Sequence, residues 1–346
     1  MRYSKDIDEI KNVLDAWRYT LFCKPNVEGV GIGYKIVKGE KTDEICIVVN
    51  VKKKLPELPE EDMIPKEVGV GTKILTDVYE TGEIRALYKE AKSAENLRTK
   101  KTRPASAGVS IGHYKITAGT LGCLVRKDGK IKILSNNHVL ANENRAKIGD
   151  MILQPGPYDI NDANYEQYKI ALLSDYVPIY IMDEIPTCKI KNVAKNFLRY
   201  IKKQYSNILA AKTNRFDCAV AEVFKPDDVS STLYELGEPA TKPRDAGLDM
   251  KVCKSGRTTG VTQGEITQLH VTTKVRFSRG YAVFEEQIAT GPMCKGGDSG
   301  SLLVSQSGLE PVGLLFAGSD AITIYNPIKD VLNKLGVEIV SKHNPL

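Results

Sequence analysis

The sequence predicts a mainly β protein with a small α+β unit at its N-terminal end and one helical insertion. Three observations carry that prediction. Short apolar runs that suit strands recur from Ala107 to Ile324, broken by glycines and turn residues. An Asp128-Gly129 pair, flanked by Lys127 and Lys130, has the chemistry of a tight hairpin turn. Helical spacing of apolar residues is confined to a few stretches, chiefly Asp6 to Thr20, Ile190 to Ile208 and Asn326 to Leu335. With 346 residues, 42% hydrophobic and 27% charged, the chain can bury two or three cores.

At the N-terminal end, Ile7, Ile10, Val13, Leu14 and Trp17 line one face of a helix. Strand-like runs follow at Val30 to Val37, at Glu44 to Val51 with Ile45, Ile47 and Val49 alternating, and at Val68 to Val78. Leu55 to Pro65, rich in Pro and Glu, is a loop between them. Gly29-Val30-Gly31-Ile32-Gly33 has the look of a phosphate-binding loop, but it lies within a strand and opens no helix, so it lacks the context that chemistry needs. Beyond Glu83 the chain becomes helix-prone from Ala86 to Leu97. Arg98-Thr99-Lys100-Lys101-Thr102-Arg103-Pro104 is then an exposed basic tether. The expected divisions are an α+β domain at 1–88, a linker at 89–105, a first β half at 106–228 and a second at 229–346 that ends in a helix.

Within the first half, glycines in Thr117-Ala118-Gly119-Thr120-Leu121-Gly122 suit bends at sheet corners. An insertion at 186–212 is amphipathic, with Ile190, Val193, Phe197, Ile201, Tyr205 and Ile208 recurring every three or four residues. Eight basic residues and no acidic one stand between Pro186 and Arg215, more than the whole chain's net charge of +6. Its lysines are either a solvated outer face or a surface for an acidic partner. The seven cysteines have no paired short spacing, which speaks against a disulfide framework or a zinc site; Cys294 is a small core residue or a thiol beside the glycine-rich run that begins at Lys295. No apolar stretch is long enough to cross a bilayer and no apolar leader follows Met1, so a cytoplasmic location is expected.

The chemistry concentrates at Lys295-Gly296-Gly297-Asp298-Ser299-Gly300-Ser301. A serine between glycines at the mouth of the Leu302-Leu303-Val304 strand has an exposed hydroxyl. Gly297 allows backbone angles in which the N–H groups of residues 297 and 299 can meet an oxyanion. Such a serine needs a base. Of four histidines, His343 lies in a polar tail, while His270 and His113 lie in strand-like runs. His138 ends the strand Ile131 to Asn137 and opens a short helical turn, Val139-Leu140-Ala141-Asn142, where a side chain can face a cleft. A carboxylate must orient that imidazole. Asp217, at the start of Cys218-Ala219-Val220-Ala221-Glu222-Val223, ranks first, with Asp175 and Asp183 behind it.

Ser135-Asn136-Asn137-His138-Val139, Phe216-Asp217-Cys218-Ala219-Val220 and Gly297-Asp298-Ser299-Gly300-Ser301, in that order, resemble the three signatures of trypsin/chymotrypsin-like serine peptidases. The Asn-Asn-His-Val form is closest to bacterial high-temperature-requirement proteases. The resemblance spans roughly Ala105 to Val340 and implies two six-stranded antiparallel barrels with the site between them. It implies His138 as general base, Asp217 as its orienter, Ser299 as nucleophile, and the N–H groups of Gly297 and Ser299 as the oxyanion hole. It also implies a substrate-pairing strand at Val312 to Ser319, with Phe316, Ala317 and Gly318 in the pocket wall and uncharged Met293 at the pocket floor, suited to an apolar or small residue. The 79-residue interval from His138 to Asp217 is long for the family, as the insertion explains. No activation peptide is evident, so Asp298 must be held by a basic side chain, with Arg257 the candidate, or by backbone donors.

The expected function is a serine endopeptidase acting on protein or peptide through an acyl-enzyme, with no metal or organic cofactor. Its rivals are a closed scaffold of the same fold used as a binding or regulatory module, and an esterase on the same residues.

Overall fold

The structure is a computed structural model that describes residues 6–87, 97–162, 164–183 and 212–342. Except for Lys212, the basic insertion expected at 186–212 lies outside the described residues, as do residues 88–96 of the helix-prone stretch. Asp6 caps helix α1 (Ile7–Phe22) by accepting the Asp8 N–H, and Asp8 and Glu9 place negative charge on its first turn. The apolar face of α1 buries Ile10, Leu14 and Leu21 against strands β1 (Val27–Val37) and β2 (Glu40–Val51). The run expected as one strand from Val68 to Val78 is a hairpin of β3 (Glu67–Val68) and β4 (Ile74–Glu80), because Gly69 and Gly71 turn at positive φ. Strand β4 lies parallel to β2.

After the two-residue strand β5 (Arg85–Ala86), the chain builds its first half. The strands are β6 (Ala105–Ala107), β7 (Ser110–His113), β8 (Gly119–Thr120), β9 (Cys123–Lys127) and β10 (Lys130–Ser135). Helix α2 (Asn137–Leu140), β11 (Met151–Leu153), β12 (Lys169–Tyr176) and β13 (Ala219–Val223) follow. Hydrogen bonding runs β8-β7-β11-β12-β13-β10-β9. Gly108 N–H donates to Leu121 (2.8 Å) and Gly122 N–H to Leu134 (3.0 Å), which curls the sheet around Leu121, Ile133, Leu134, Ile152, Ile170 and Val220. The expected hairpin is present: Asp128 and Gly129 both take positive φ between β9 and β10.

The second half is closed. Strand β14 (Val229–Leu233) lies parallel to β6, and after it come β15 (Lys251–Gly256), β16 (Gly260–Phe277), β17 (Gly280–Thr290), β18 (Leu302–Ser305), β19 (Pro311–Gly318) and β20 (Thr323–Pro327). Pairing runs β15-β18-β19-β20-β17-β16 and returns to β15. Closure is possible because β16, 18 residues long, pairs with β15 through its first residues and with β17 through the rest. Helix α3 (Ile328–Leu335) buries Ile328, Val331, Leu332 and Leu335 in the core cluster of the first half, and β21 (Glu338–Ile339) pairs with β9. Residues 229–346 therefore do not form the second half by themselves. Their first strand and their last two elements belong to the first, where the apolar face of α3 finds its partners.

The N-terminal unit shares a sheet with this second barrel. Strand β1 pairs antiparallel with β16, Gly29 opposite Thr273 and Gly33 opposite Gln268, giving an 11-stranded sheet. A Cβ at Gly29 would stand 2.7 Å from the Thr272 carbonyl oxygen, and one at Gly33 would stand 2.6 Å from that of Thr267. The glycine run is thus a stripe of close backbone approach. Buried Asn50 and Gln268 exchange reciprocal amide hydrogen bonds across the same seam, at 2.9 and 3.0 Å. The expected exposed tether is anchored too. Arg98 is 3% exposed and donates to Ser255 Oγ (2.7 Å), to the Gly108 carbonyl (3.2 Å) and to Glu235 (2.8 Å).

Charge also ties α1 to the barrel. Glu286 on β17 accepts from Arg18 (2.8 Å) and lies 2.6 Å from His270 Nδ1. Burial alone pushes its carboxyl up, but the hydrogen bonds and charges of His270 and Arg18 outweigh that and bring it from 4.5 down to about 2. The unfolded chain binds the proton more readily, so the stabilisation is present above pH 4.5 and is lost as pH falls toward 2. Between those pH values, urea unfolding should show the wild type losing about 1–2 kcal/mol more than Glu286→Gln, since solvent around the partly exposed carboxylate screens the pairing.

Candidate active site

His138 stands on the first turn of α2, immediately after β10 ends, and is 2% exposed. Its ring Nδ1 lies 2.5 Å from Asp217 Oδ2, and its backbone N–H donates to Asp217 Oδ1 at 3.1 Å. Asp217 is fully buried and held from both sides. Its N–H donates to Asn326 Oδ1 (2.9 Å), and its carbonyl accepts from Asn136 Nδ2 (2.8 Å). Asn326 in turn donates to Gln287 Oε1 at 2.6 Å. Asn137 braces the turn by donating to the Val177 carbonyl, 2.7 Å. Of the carboxylates ranked behind Asp217, Asp175 pairs instead with Lys127 at 3.4 Å and Asp183 is exposed. Asn326 had no signal in the sequence, since its role depends on β20 arriving beside Asp217.

Ser299 is 1% exposed, and its hydroxyl donates to the Phe316 carbonyl at 3.4 Å. Thr120 on β8 pins the serine loop to the first half: its N–H donates to Ser299 O and its hydroxyl to Gly297 O, both at 2.8 Å. The Thr120 carbonyl accepts from Ser135 Oγ, 2.8 Å, three residues before His138. One residue therefore braces both the serine loop and the strand that delivers the histidine. Gly297 adopts φ +94°, where a Cβ would lie 2.6 Å from Thr258 Oγ1, and its N–H donates to the Leu87 carbonyl at 3.1 Å.

Asp298 is wholly buried and accepts hydrogen bonds from Thr258 N (2.8 Å), Thr259 N (3.1 Å), Thr259 Oγ1 (2.7 Å) and Lys295 N (2.9 Å). The pairing expected with Arg257 does not occur. Arg257 forms a two-point interaction with Asp159, Nε to Oδ2 at 2.9 Å, and the cation beside Asp298 is Lys254 at 3.4 Å, itself fully buried. Lys254 lies within β15 whereas Arg257 stands in the turn after Gly256, so the two cations leave the backbone at different places and reach different carboxylates. Burial pushes the Lys254 ammonium down from its usual 10.5, with Asp298 opposing.

Met293 is 3% exposed and packs with Val252, Ile266 and Leu315, its sulfur 3.7 Å from the Tyr325 hydroxyl. Phe316 stacks at a tilt on Phe284, ring centroids 4.7 Å apart, in a separate cluster. Ala317 and Gly318 pair with Ala86 and Arg85 of β5. Burial pushes the Cys294 thiol up to about 12, which suits an inert core residue. The other described histidines have structural partners: His113 contacts Asp150 at 3.0 Å, with burial lowering its pKa, and His270 contacts Glu286. Among the described residues no helix is long and apolar enough to span a membrane.

No family model and no curated protein matches the chain. Solved structures do. Protease A of Thermobifida fusca is similar over 68% of this chain and 100% of its own, at 16% identity and a TM-score of 0.45. A glutamic acid-specific serine protease is similar over 68% and 100%, at 16% identity and 0.44, and a Cellulomonas bogoriensis chymotrypsin over 69% and 99%, at 16% and 0.43. These neighbours are trypsin/chymotrypsin-like serine proteases.

The buried ion pair under the serine loop should be measurable. Lys254→Met leaves the Asp298 charge without its cation and should cost about 3–5 kcal/mol in urea unfolding, while Lys254→Met with Asp298→Asn should recover most of the loss.

Proposed function

We propose that this chain is a serine endopeptidase. The observation that carries the proposal is the buried His138–Asp217 contact at 2.5 Å, on a wall that Thr120 shares with the Ser299 loop. An ionised Asp217 only accepts hydrogen bonds, so it holds the Nδ1 proton on the ring and leaves Nε2 as the basic nitrogen. For the reaction the Ser299 hydroxyl leaves the Phe316 carbonyl and gives its hydrogen bond to that nitrogen. His138 takes the proton as Ser299 attacks a peptide carbonyl, and returns it to the leaving amine. Gly297 and Ser299 N–H groups stabilise the oxyanion. Water completes the cycle by hydrolysing the acyl-enzyme. The narrower likeness to high-temperature-requirement proteases rests on the Asn136-Asn137-His138-Val139 tetrad alone, and both asparagines have local bracing contacts that need no such kinship.

One observation favours the closed-scaffold alternative: the Gly297 N–H already serves the Leu87 carbonyl. A fluorophosphonate probe separates the readings. Labelling should occur at Ser299 in a chain altered to release Leu87 and vanish when Ser299→Ala is added, and Asp217→Asn should lower kcat on peptide substrates on the order of 10⁴-fold. Absence of labelling, even in chains altered to release Leu87, would leave the scaffold reading in place.

A further inference from the structure

The group on Gly297 belongs to the chain itself. Residues 84–87 lie extended beside the reactive serine, between two strands of the second barrel. Strand β5 pairs antiparallel with β19, Ala86 opposite Ala317 and Arg85 opposite Gly318. On its other side the Arg276 N–H of β16 donates to the Ile84 carbonyl at 3.0 Å. Side chains alternate as a bound strand requires. Ile84 and Ala86 are buried with Phe277 and Phe316, Phe277 also meeting the His138 ring edge-on, centroids 6.1 Å apart. Arg85 points to solvent. Leu87 packs against the cluster of Met293 and Cys294, and its carbonyl oxygen accepts the Gly297 N–H at 3.1 Å.

A carbonyl at the Gly297 N–H, with an apolar side chain packed on the Met293 cluster and its strand paired to β19, is the arrangement an acyl substrate needs. We propose that the peptide bond following Leu87 is cut by Ser299 of the same chain, and that Ile84–Leu87 stays in the cleft as the product strand. The proposal rests on the peptidase reading above and adds its substrate: an extended segment with leucine at the cut, a small residue before it and a branched apolar residue two further back.

The step balances with water as the only co-reactant. Ser299 Oγ bonds to the Leu87 carbonyl carbon and its proton passes to His138. The C–N bond to Tyr88 then breaks and the amine leaves with that proton. Water, deprotonated by His138, attacks the ester, releasing the Leu87 carboxyl and restoring the Ser299 hydroxyl. The basic tether is a poor rival site, because Arg98 is buried and bound through its guanidinium. The N-terminal fragment would remain docked, since β1 pairs along β16.

Intact-mass measurement of the purified full chain tests this. The wild type should give two species divided between Leu87 and Tyr88 that co-elute under native conditions, and Ser299→Ala should give one. Leu87→Asp, whose charged side chain does not suit the apolar cluster around Met293, should stay whole and take up fluorophosphonate at Ser299. A whole wild type alongside a labelled Leu87→Asp overturns self-cleavage and leaves the hydrolase standing. A cut elsewhere, or the same cut in Ser299→Ala, overturns it too. Neither cutting nor labelling in either chain would sink the peptidase reading itself.

Discussion

Strand β16 is the constraint on which the rest of the architecture depends. Its length lets it close the second barrel against both β15 and β17, while a further stretch of its backbone receives β1. One strand thereby joins the barrel, the N-terminal sheet and, through Arg276, the short strand that leads to Leu87. Glycines on β1 permit the seam because a Cβ at Gly29 or Gly33 would collide with β16 carbonyls. The N-terminal unit is therefore part of the sheet that carries the cleft, and what it presents to the cleft follows from that attachment.

The loop that carries Ser299 has its own requirement, a buried carboxylate. Asp298 is removed from water, where an ionised side chain is costly unless it is fully hydrogen-bonded and paired. Backbone and hydroxyl donors of Thr258 and Thr259, the Lys295 N–H and the Lys254 ammonium meet that need together. With Asp298 held so closely, Gly297 and Ser299 on either side have little freedom. Thr120 braces the same loop from the opposite barrel, so the site is a product of the interface between the two halves.

Much of this was legible in the residues. Alternation and turn chemistry marked the strands, including the Asp128-Gly129 hairpin, and the serine, histidine and aspartate stood out by residue type and flanking pattern. The errors share one cause. Arg257 was the candidate cation for Asp298 beside backbone donors; the backbone donors are there, but the cation is Lys254 from within β15, while Arg257, in the turn beyond it, reaches Asp159. The tether looked exposed because it is basic, yet Arg98 is buried against β7 and β15 neighbours through its guanidinium. The last helix was placed with the second half, yet its apolar face joins the core of the first.

The amino-acid sequence by itself determined the mainly β character and marked the glycine-bounded serine with its candidate partners, because strand alternation, turns and residue chemistry act over a few neighbouring positions. Only the tertiary structure decided which cation meets Asp298, which asparagine holds Asp217, and that Leu87 reaches Gly297. Those contacts join segments far apart in the chain through sheet pairing, and no local pattern encodes a partner at that distance.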